Sequence, residues 1–167
     1  SAYTYLEQSS SIRPRSYKIQ HALARNFLRH ANNTNDRIKS SELFNEGEKR
    51  MKKLIDSKDF GKEKAKPFSV TCYVAEKIRF MNKFSIIPTD QELRYMINSL
   101  DSVKDRSDDY MESVFKLMFA FLNEHGKINM LTMDFKSPYF KYIGEKQLSL
   151  NFDCYEKLDD PVIEAIN

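Results

Sequence analysis

Apolar residues recur at helical spacing through most of the chain. One such segment extends from Pro14 to about Asn32, a second is predicted to start at Ser40 or Ser41, and a third covers residues 67–82. Each segment presents one apolar side, so each is predicted to be an amphipathic helix. The positions expected to be buried are Ile19, Leu23, Phe27, Leu43, Met51, Leu54, Ile55, Val70, Val74, Ile78 and Met81.

Two further helices are predicted in the second half of the chain. Thr89 and Glu92 have the spacing of a capping box, in which each side chain satisfies a backbone donor at the helix start. Ser107 is expected to cap the next helix, and Gly126 is a good C-terminal stop. The expected buried positions are Leu93, Met96, Ile97, Leu100, Val114, Phe115, Met118, Phe119 and Leu122.

The pattern changes after Gly126. Residues 148–154 alternate apolar and polar side chains, which is strand spacing, and residues 128–131 fit either a partner strand or another helical turn. The predicted fold is therefore mainly α, a compact bundle of about five helices that ends in a small β-hairpin or an irregular tail. We expect a flexible lead-in over residues 1–12 and one ligand-binding domain over 13–167, with its core at 14–126 and an appendage at 127–167.

Composition agrees with a folded helical protein. Only four Gly and five Pro occur in 167 residues, which favours long helices, and 41% of the residues are hydrophobic. No apolar stretch approaches about 18 residues, so we expect no membrane-spanning segment. Because the chain starts with Ser1 rather than Met, it is expected to be part of a longer protein. Cys72 and Cys154 are expected to be reduced core residues, although a single bridge between them stays open.

The residue inventory does not favour catalysis or metal binding. None of His21, His30 and His125 stands in a zinc-ligand pattern, and four glycines do not form a phosphate-binding loop. A nucleophile pair of His125 with either cysteine is conceivable, but a buried cysteine and a surface histidine are the favoured interpretation. We therefore predict a non-catalytic protein with no cofactor and no metal.

Charge is distributed unevenly along the chain. Residues 1–83 contain 18 Lys or Arg and nine Asp or Glu, whereas residues 84–167 contain nine and 15. No acid occurs between Glu7 and Asp36. Such an imbalance favours a basic surface for an anionic partner, although the two halves could also neutralise each other after folding.

Two clusters carry most of this positive charge. Lys18, His21, Arg25 and Arg29 are spaced by three, four and four residues, so they share one side of a helix. The second cluster lies in the second helix and includes Lys52. Arginine forks match phosphate oxygens and lysine adds a mobile charge, so two such helices could hold a phosphorylated group. The members of the second cluster are Lys49, Arg50, Lys52 and Lys53.

The segment from Phe84 to Pro88 mixes bulky apolar side chains with nearby cations. Apolar residues at a loop tip beside cations suit insertion into the headgroup zone of a bilayer, so Phe84, Ile86 and Ile87 are candidate membrane-inserting residues. The alternative is that they cover the core where two helices connect.

The order of five polar residues, Tyr17, Arg25, Lys52, Ser102 and His125, resembles the headgroup-contacting set of a lipid-binding family. This family is the helical phosphatidylinositol 4-phosphate-binding module of Legionella effectors such as DrrA. The resemblance covers about residues 15–126. It implies that Arg25 and Lys52 hold the 4-phosphate and that Tyr17, Ser102 and His125 hydrogen-bond the ring or the phosphates. It also implies that the 84–87 loop enters the membrane.

The leading hypothesis is a monomeric, non-catalytic phosphoinositide-binding module that attaches a larger bacterial effector to host membranes. The expected location is intracellular and peripheral to a membrane, after secretion by a bacterium into the host cytosol. A nucleic-acid-binding domain of a plasmid or phage protein is the first alternative, because Lys18 to Arg29 could lie along a phosphate backbone. A protein-interaction domain for an acidic partner is the second.

Overall fold

A computed structural model describes residues 4, 7–8, 16–58, 65–103 and 109–133. From residue 16 onward these residues form six α-helices and no strand, so the mainly helical prediction is confirmed. The chain divides into two compact units, Ser1–Phe84 and Ser85–Asn167. The prediction of one domain over 13–167 stays a prediction. The helices are α1 Tyr17–Asn32, α2 Arg37–Asp56, α3 Lys66–Lys83, α4 Asp90–Ser102, α5 Asp109–Glu124 and α6 Asn129–Met133.

The start of α2 differs from the prediction at Ser40 or Ser41. The Oδ1 atom of Asp36 accepts hydrogen bonds from the backbone of Ile38 at 2.9 Å and of Lys39 at 3.3 Å, so the helix begins at Arg37. Ser40 instead lies buried inside α2, where its hydroxyl donates to the Ala31 carbonyl at 2.6 Å. An acidic cap one turn earlier therefore replaces the predicted serine cap.

The helix α3 is the most completely buried helix of the first unit. Its residues are buried from Ser69 to Met81 with the exception of Arg79, which is half-buried. The predicted buried residues of α3 are all confirmed, but the core also takes positions outside the predicted stripes. Phe44 is buried, whereas Leu43, Ile19 and Phe27 are only half-buried. The inner side of α1 is therefore rotated from the predicted stripe toward Ala24, Leu28 and Ala31.

Side-chain contacts give the directions of the three helices. The start of α1 meets the start of α3 through Tyr17 and Ala65, and the end of α1 meets α3 at Glu76 through Asn32. These two helices therefore run parallel. The helix α2 runs in the opposite direction, because its early residue Phe44 stacks on Phe80 near the end of α3.

In the second unit the predicted helix signals are confirmed. The Thr89 hydroxyl accepts from the Glu92 backbone at 3.1 Å, and the Glu92 carboxylate accepts from the Thr89 backbone at 3.0 Å. Gly126 ends α5 with φ 65°, a conformation that favours glycine. The predicted buried residues of both helices are confirmed. Residues 129–133 form α6, so this stretch is a helical turn rather than a strand.

Several sequence predictions fall outside the described residues. They are the cap at Ser107, the alternating segment 148–154, and most of the lead-in and of the C-terminal appendage.

Candidate anion-binding site

The two ends of the first unit differ in charge. We call residues 16–25, 49–58 and 65–72 the cationic end, because α1 and α3 begin there and α2 ends there. We call residues 26–48 and 73–84 the balanced end. The cationic end has eight cations and one acid: Lys18, Arg25, Lys49, Arg50, Lys52, Lys53, Lys58, Lys66 and Asp56. The balanced end has six cations and five acids: Arg29, Arg37, Lys39, Lys77, Arg79, Lys83, Asp36, Glu42, Glu46, Glu48 and Glu76.

The helix starts at the cationic end add to this positive charge. Neither α1 nor α3 has an acidic residue in its first turn. The Ser16 hydroxyl accepts from the Ile19 backbone at 3.4 Å, and Ala65 provides no side-chain cap for α3. A helix N-terminus carries a partial positive charge, so two of them pointing to one end favour an anion there.

A hydrogen-bonded group joins α1 to α3 at this end. The Ser69 Oγ atom lies within hydrogen-bonding distance of the Tyr17 hydroxyl and 2.9 Å from Nδ1 of His21. The Tyr17 hydroxyl also contacts the Ala65 carbonyl at 3.4 Å. Burial raises the pKa of Tyr17, so its hydroxyl keeps its proton at neutral pH. This group fixes the N-terminal turn of α1 on the first turn of α3.

His21 is a neutral residue in this cluster. Burial, and then the positive charge of Arg25, lower the pKa of its imidazole to about 4. It therefore does not contribute a positive charge at neutral pH. Lys18, which the sequence places on the same side of the helix, is exposed. The basic side of α1 thus contains an exposed lysine, a half-buried neutral histidine and two half-buried arginines rather than one uniform surface.

Arg25 and Arg29 lie close enough to α3 to act on a buried thiol. Burial and then the Glu76 carboxylate raise the pKa of Cys72, whereas the two guanidinium groups lower it. The Nε atom of Arg25 is itself buried. His21 contacts Ser69 and Asn32 contacts Glu76, so Arg25, which stands between them on α1, lies near the level of Cys72 on α3.

Lys52 lies against the next residue of α3. Its Nζ atom is 5.9 Å from the centre of the Tyr73 ring, a cation–π distance. Cys72 and Tyr73 are consecutive, so they differ by about 1.5 Å in height along α3 and by about 100° around it. Arg25 on α1 and Lys52 on α2 therefore lie near one level along α3.

The other two predicted headgroup residues belong to the second unit. Ser102 is exposed at the end of α4, where its hydroxyl donates to the Ser99 carbonyl at 2.7 Å. His125 follows α5 and packs edge-on against Phe121 at 4.7 Å. An ion pair of 2.8 Å between Lys127 and Asp90 ties the segment after α5 to the start of α4. The described contacts do not bring Ser102 and His125 together, and their role stays a prediction.

The predicted membrane-inserting residues have different environments. Phe84 is half-buried and packs edge-on against Phe80 at 5.3 Å, so it extends the aromatic stack at the balanced end. In the second unit Ile86 is half-buried and Ile87 is 79% exposed. Of the three, Ile87 presents the most apolar surface to water.

Sequence reasoning missed three residues of the cationic end. Ser69 is fully buried between α1 and α3, and nothing in its sequence neighbourhood marks it as the partner of Tyr17 and His21. Lys66 lies outside the two predicted cation clusters and just before the third predicted helical segment, 67–82. Phe68 is 58% exposed. Its position outside the apolar stripe that contains Val70 and Val74 was the sequence signal that this side chain is exposed.

The contact between Ser69 and His21 has the residue types of a nucleophile and a base. Ser69 has no exposed surface, so a substrate does not reach its hydroxyl in this structure. Its arrangement fits a structural role. Among the described residues no cluster of His, Cys, Asp or Glu could hold a metal ion, and Cys72 is a buried free thiol.

Comparisons with protein-family models, characterised proteins and solved structures give no match to this chain. Within the described residues, no helix combines the length and the apolar character needed to cross a bilayer. The geometry of the cationic end is therefore the basis for a functional proposal.

Proposed function

We propose that the chain is a non-catalytic module that binds the headgroup of phosphatidylinositol 4-phosphate and so attaches a larger bacterial effector to a host membrane. One observation carries the proposal. Arg25 on α1 and Lys52 on α2 lie near one level along α3, at the cationic end, whose residues include eight cations and one acid. The resemblance in residue order to the DrrA-like family supports the choice of this headgroup.

The chemistry of the headgroup suits this arrangement. It presents a phosphomonoester at the 4-position and a phosphodiester at the 1-position, so it needs two sources of positive charge a short distance apart. Arginine binds phosphate oxygens with two parallel hydrogen bonds, and lysine supplies a point charge. Hydrogen bonds to charged groups contribute about 1.5–3 kcal/mol each, which is sufficient for a preference between phosphorylated and unphosphorylated inositol lipids.

The structure gives less support to a nucleic-acid-binding role. A duplex contact along α1 would need a continuous row of cations from Lys18 to Arg29, because each contact neutralises a separate phosphate. His21 interrupts this row, since it is packed on Ser69 with a pKa lowered to about 4. A compact phosphorylated ligand at the end of the unit does not require such a row.

Vesicle sedimentation tests the proposal. Phosphatidylcholine vesicles are prepared with phosphatidylinositol 4-phosphate or with unphosphorylated phosphatidylinositol, at physiological salt. We expect preferential binding to the phosphorylated lipid and, for the Arg25→Gln, Lys52→Gln double variant, at least about a tenfold loss of affinity. The Arg37→Gln, Lys39→Gln variant is the matched control, because it removes the same charge from exposed positions at the balanced end.

Two results would contradict the proposal. One is equal sedimentation with both lipids, and the other is an equal loss of binding in the two double variants, which would indicate unspecific attraction to negative charge. Thermal unfolding followed by circular dichroism shows whether each variant is folded. The single Lys52→Gln variant replaces the double variant if the half-buried Arg25 is needed for folding.

A further inference from the structure

Phe68 is an exposed aromatic residue at the cationic end. It stands in the first turn of α3 and is 58% exposed. Large hydrophobic residues with this much exposure are few in the described part of the chain. The other two are Ile38 at the balanced end, 74% exposed, and Ile87 in the second unit.

The backbone around Phe68 is held by the same contacts that build the cationic end. The Phe68 backbone N–H donates to the Ala65 carbonyl at 3.1 Å, and this carbonyl also accepts from Tyr17 at 3.4 Å. The next residue, Ser69, contacts both Tyr17 and His21. Phe68 is therefore a side chain on a fixed helical turn, which lowers the entropic cost of using it for binding.

Charge distinguishes this residue from the other exposed hydrophobic residue of the first unit. Phe68 lies two residues after Lys66, in the region with eight cations and one acid. Ile38 lies between Arg37 and Lys39, but the acids Asp36 and Glu42 are within four residues of it. An anionic surface would therefore attract the part of the molecule that contains Phe68 more strongly than the part that contains Ile38.

We propose that Phe68 enters the apolar layer of an anionic phospholipid bilayer while the surrounding cations contact the lipid headgroups. This inference rests on the proposed function and adds a membrane-contacting residue to it. An exposed aromatic ring at an end rich in cations matches the order of layers at a bilayer surface, where anionic groups lie outside the acyl chains. Phe84, the first residue of the sequence-predicted loop, lies about 24 Å farther along the α3 axis.

A single introduced tryptophan tests the inference, because the chain contains no Trp. The Phe68→Trp and Ile38→Trp variants are mixed with phosphatidylcholine vesicles containing either phosphatidylinositol 4-phosphate or phosphatidylserine. We expect Phe68→Trp emission to shift to shorter wavelength and to be quenched by brominated acyl chains. Ile38→Trp, the matched exposed position at the balanced end, is expected to show neither effect.

A second measurement separates this inference from the headgroup proposal. We expect Phe68→Ser to bind vesicles about tenfold more weakly than the unchanged chain. Its affinity for soluble inositol 1,4-bisphosphate should stay the same, because the ring does not contact the phosphates.

The outcomes are distinguishable. Unchanged vesicle binding by Phe68→Ser, or Phe68→Trp emission without shift or quenching, overturns the role of Phe68 and leaves headgroup binding standing. Phe68→Trp insertion into phosphatidylserine vesicles, without any preference for the phosphoinositide, supports Phe68 and contradicts the headgroup proposal. Failure of the unchanged chain to bind either vesicle overturns both.

Discussion

The two ends of the first unit use charged residues in different ways. At the balanced end several charged side chains have partners within the fold. The Glu48 carboxylate accepts from Lys77 at 2.6 Å and from the Tyr73 hydroxyl at 2.8 Å, and Lys83 donates to the carbonyls of Asn32 and Thr34. At the cationic end the named ranges contain eight cations and one acid, and one of these cations, Arg50, pairs with Glu46 of the balanced end at 2.8 Å.

This difference separates an end whose charges are nearly balanced from an end with an excess of positive charge. A protein gains nothing in stability from collecting like charges, because their mutual repulsion disfavours the compact state. The cationic end keeps such a collection beside two helix starts without acids, whereas α2 begins at the balanced end with the acidic cap Asp36. The balanced end is therefore interpreted as the stabilising part and the cationic end as the binding part.

The largest expected effect comes from a buried charge at the balanced end. The side chains of Lys77 and Glu48 are 7% and 18% exposed. Replacing Lys77 by Met leaves the carboxylate of Glu48 without its cation, so we expect the free energy of unfolding to fall by about 3 kcal/mol. The measurement is urea unfolding followed by circular dichroism.

The matched control is Lys18→Met, which removes an exposed cation from the other end and should change stability by less than about 0.5 kcal/mol. Adding Glu48→Gln to Lys77→Met should recover part of the loss. Similar small losses for Lys77→Met and Lys18→Met would remove the distinction between the two ends.

Acid sensitivity at the cationic end is the next effect in size. Because the pKa of His21 is about 4 in the folded protein and near 6.5 when unfolded, the unfolded chain takes up the proton first as pH falls. The stability from the neutral imidazole is present above about pH 6.5 and is lost toward pH 4. We expect a loss of about 2–3 kcal/mol over this range from this residue.

His21→Gln removes the titrating group but keeps an amide that can hydrogen-bond to Ser69. Urea unfolding at pH 7 and pH 4 should show a smaller acid-induced loss in this variant than in the unchanged chain. The same loss in both would mean that His21 is not a source of acid sensitivity.

The close approach of α1 and α2 at the balanced end predicts a smaller loss of stability. A Cβ atom on Gly47 would lie 2.8 Å from Cδ2 and 2.9 Å from the backbone nitrogen of Leu28. Because backbone cannot move aside as a side-chain tip can, Gly47→Ala should force α1 and α2 apart and lower the free energy of unfolding by about 2 kcal/mol. Asn45→Ala, at an exposed position of the same helix, is the control and should be nearly neutral. A neutral Gly47→Ala would contradict the close packing.

The helix caps give the smallest predicted difference. Asp36 accepts two backbone hydrogen bonds at the start of α2, so Asp36→Ala should cost about 1 kcal/mol. Ser16 accepts one long bond of 3.4 Å at the start of α1, so Ser16→Ala should cost only a few tenths of a kcal/mol. Thermal unfolding of both variants measures the two losses of stability, and a larger loss for Ser16→Ala would contradict the expected order.

Local signals made much of the helical structure predictable. The capping box at Thr89 and the glycine stop at Gly126 depend on residues within one turn, and both are present in the structure. The start of α2 was missed because Asp36 and Ser40 are both good caps in sequence. Ser40 does not cap α2, because its hydroxyl donates to the Ala31 carbonyl in the neighbouring helix. Asp36 is therefore the cap.

The candidate site was less predictable, because it depends on how the helices pack. Spacing put Lys18 and His21 on one side of α1, but it could not show that α3 covers the histidine and leaves the lysine exposed. The single level of Arg25 and Lys52 follows from the opposite directions of α1 and α2 against α3. Those directions are long-range properties that residue types alone do not specify.

Amide chemical-shift mapping with soluble inositol 1,4-bisphosphate tests the central claim, that the cationic end is the phosphate-binding end, most directly. The account predicts saturable shifts, largest in residues 16–25, 49–58 and 65–72 and weakened by added salt because the contacts are ionic. Shifts concentrated in residues 26–48 and 73–84, or the absence of any saturable shift, would contradict it.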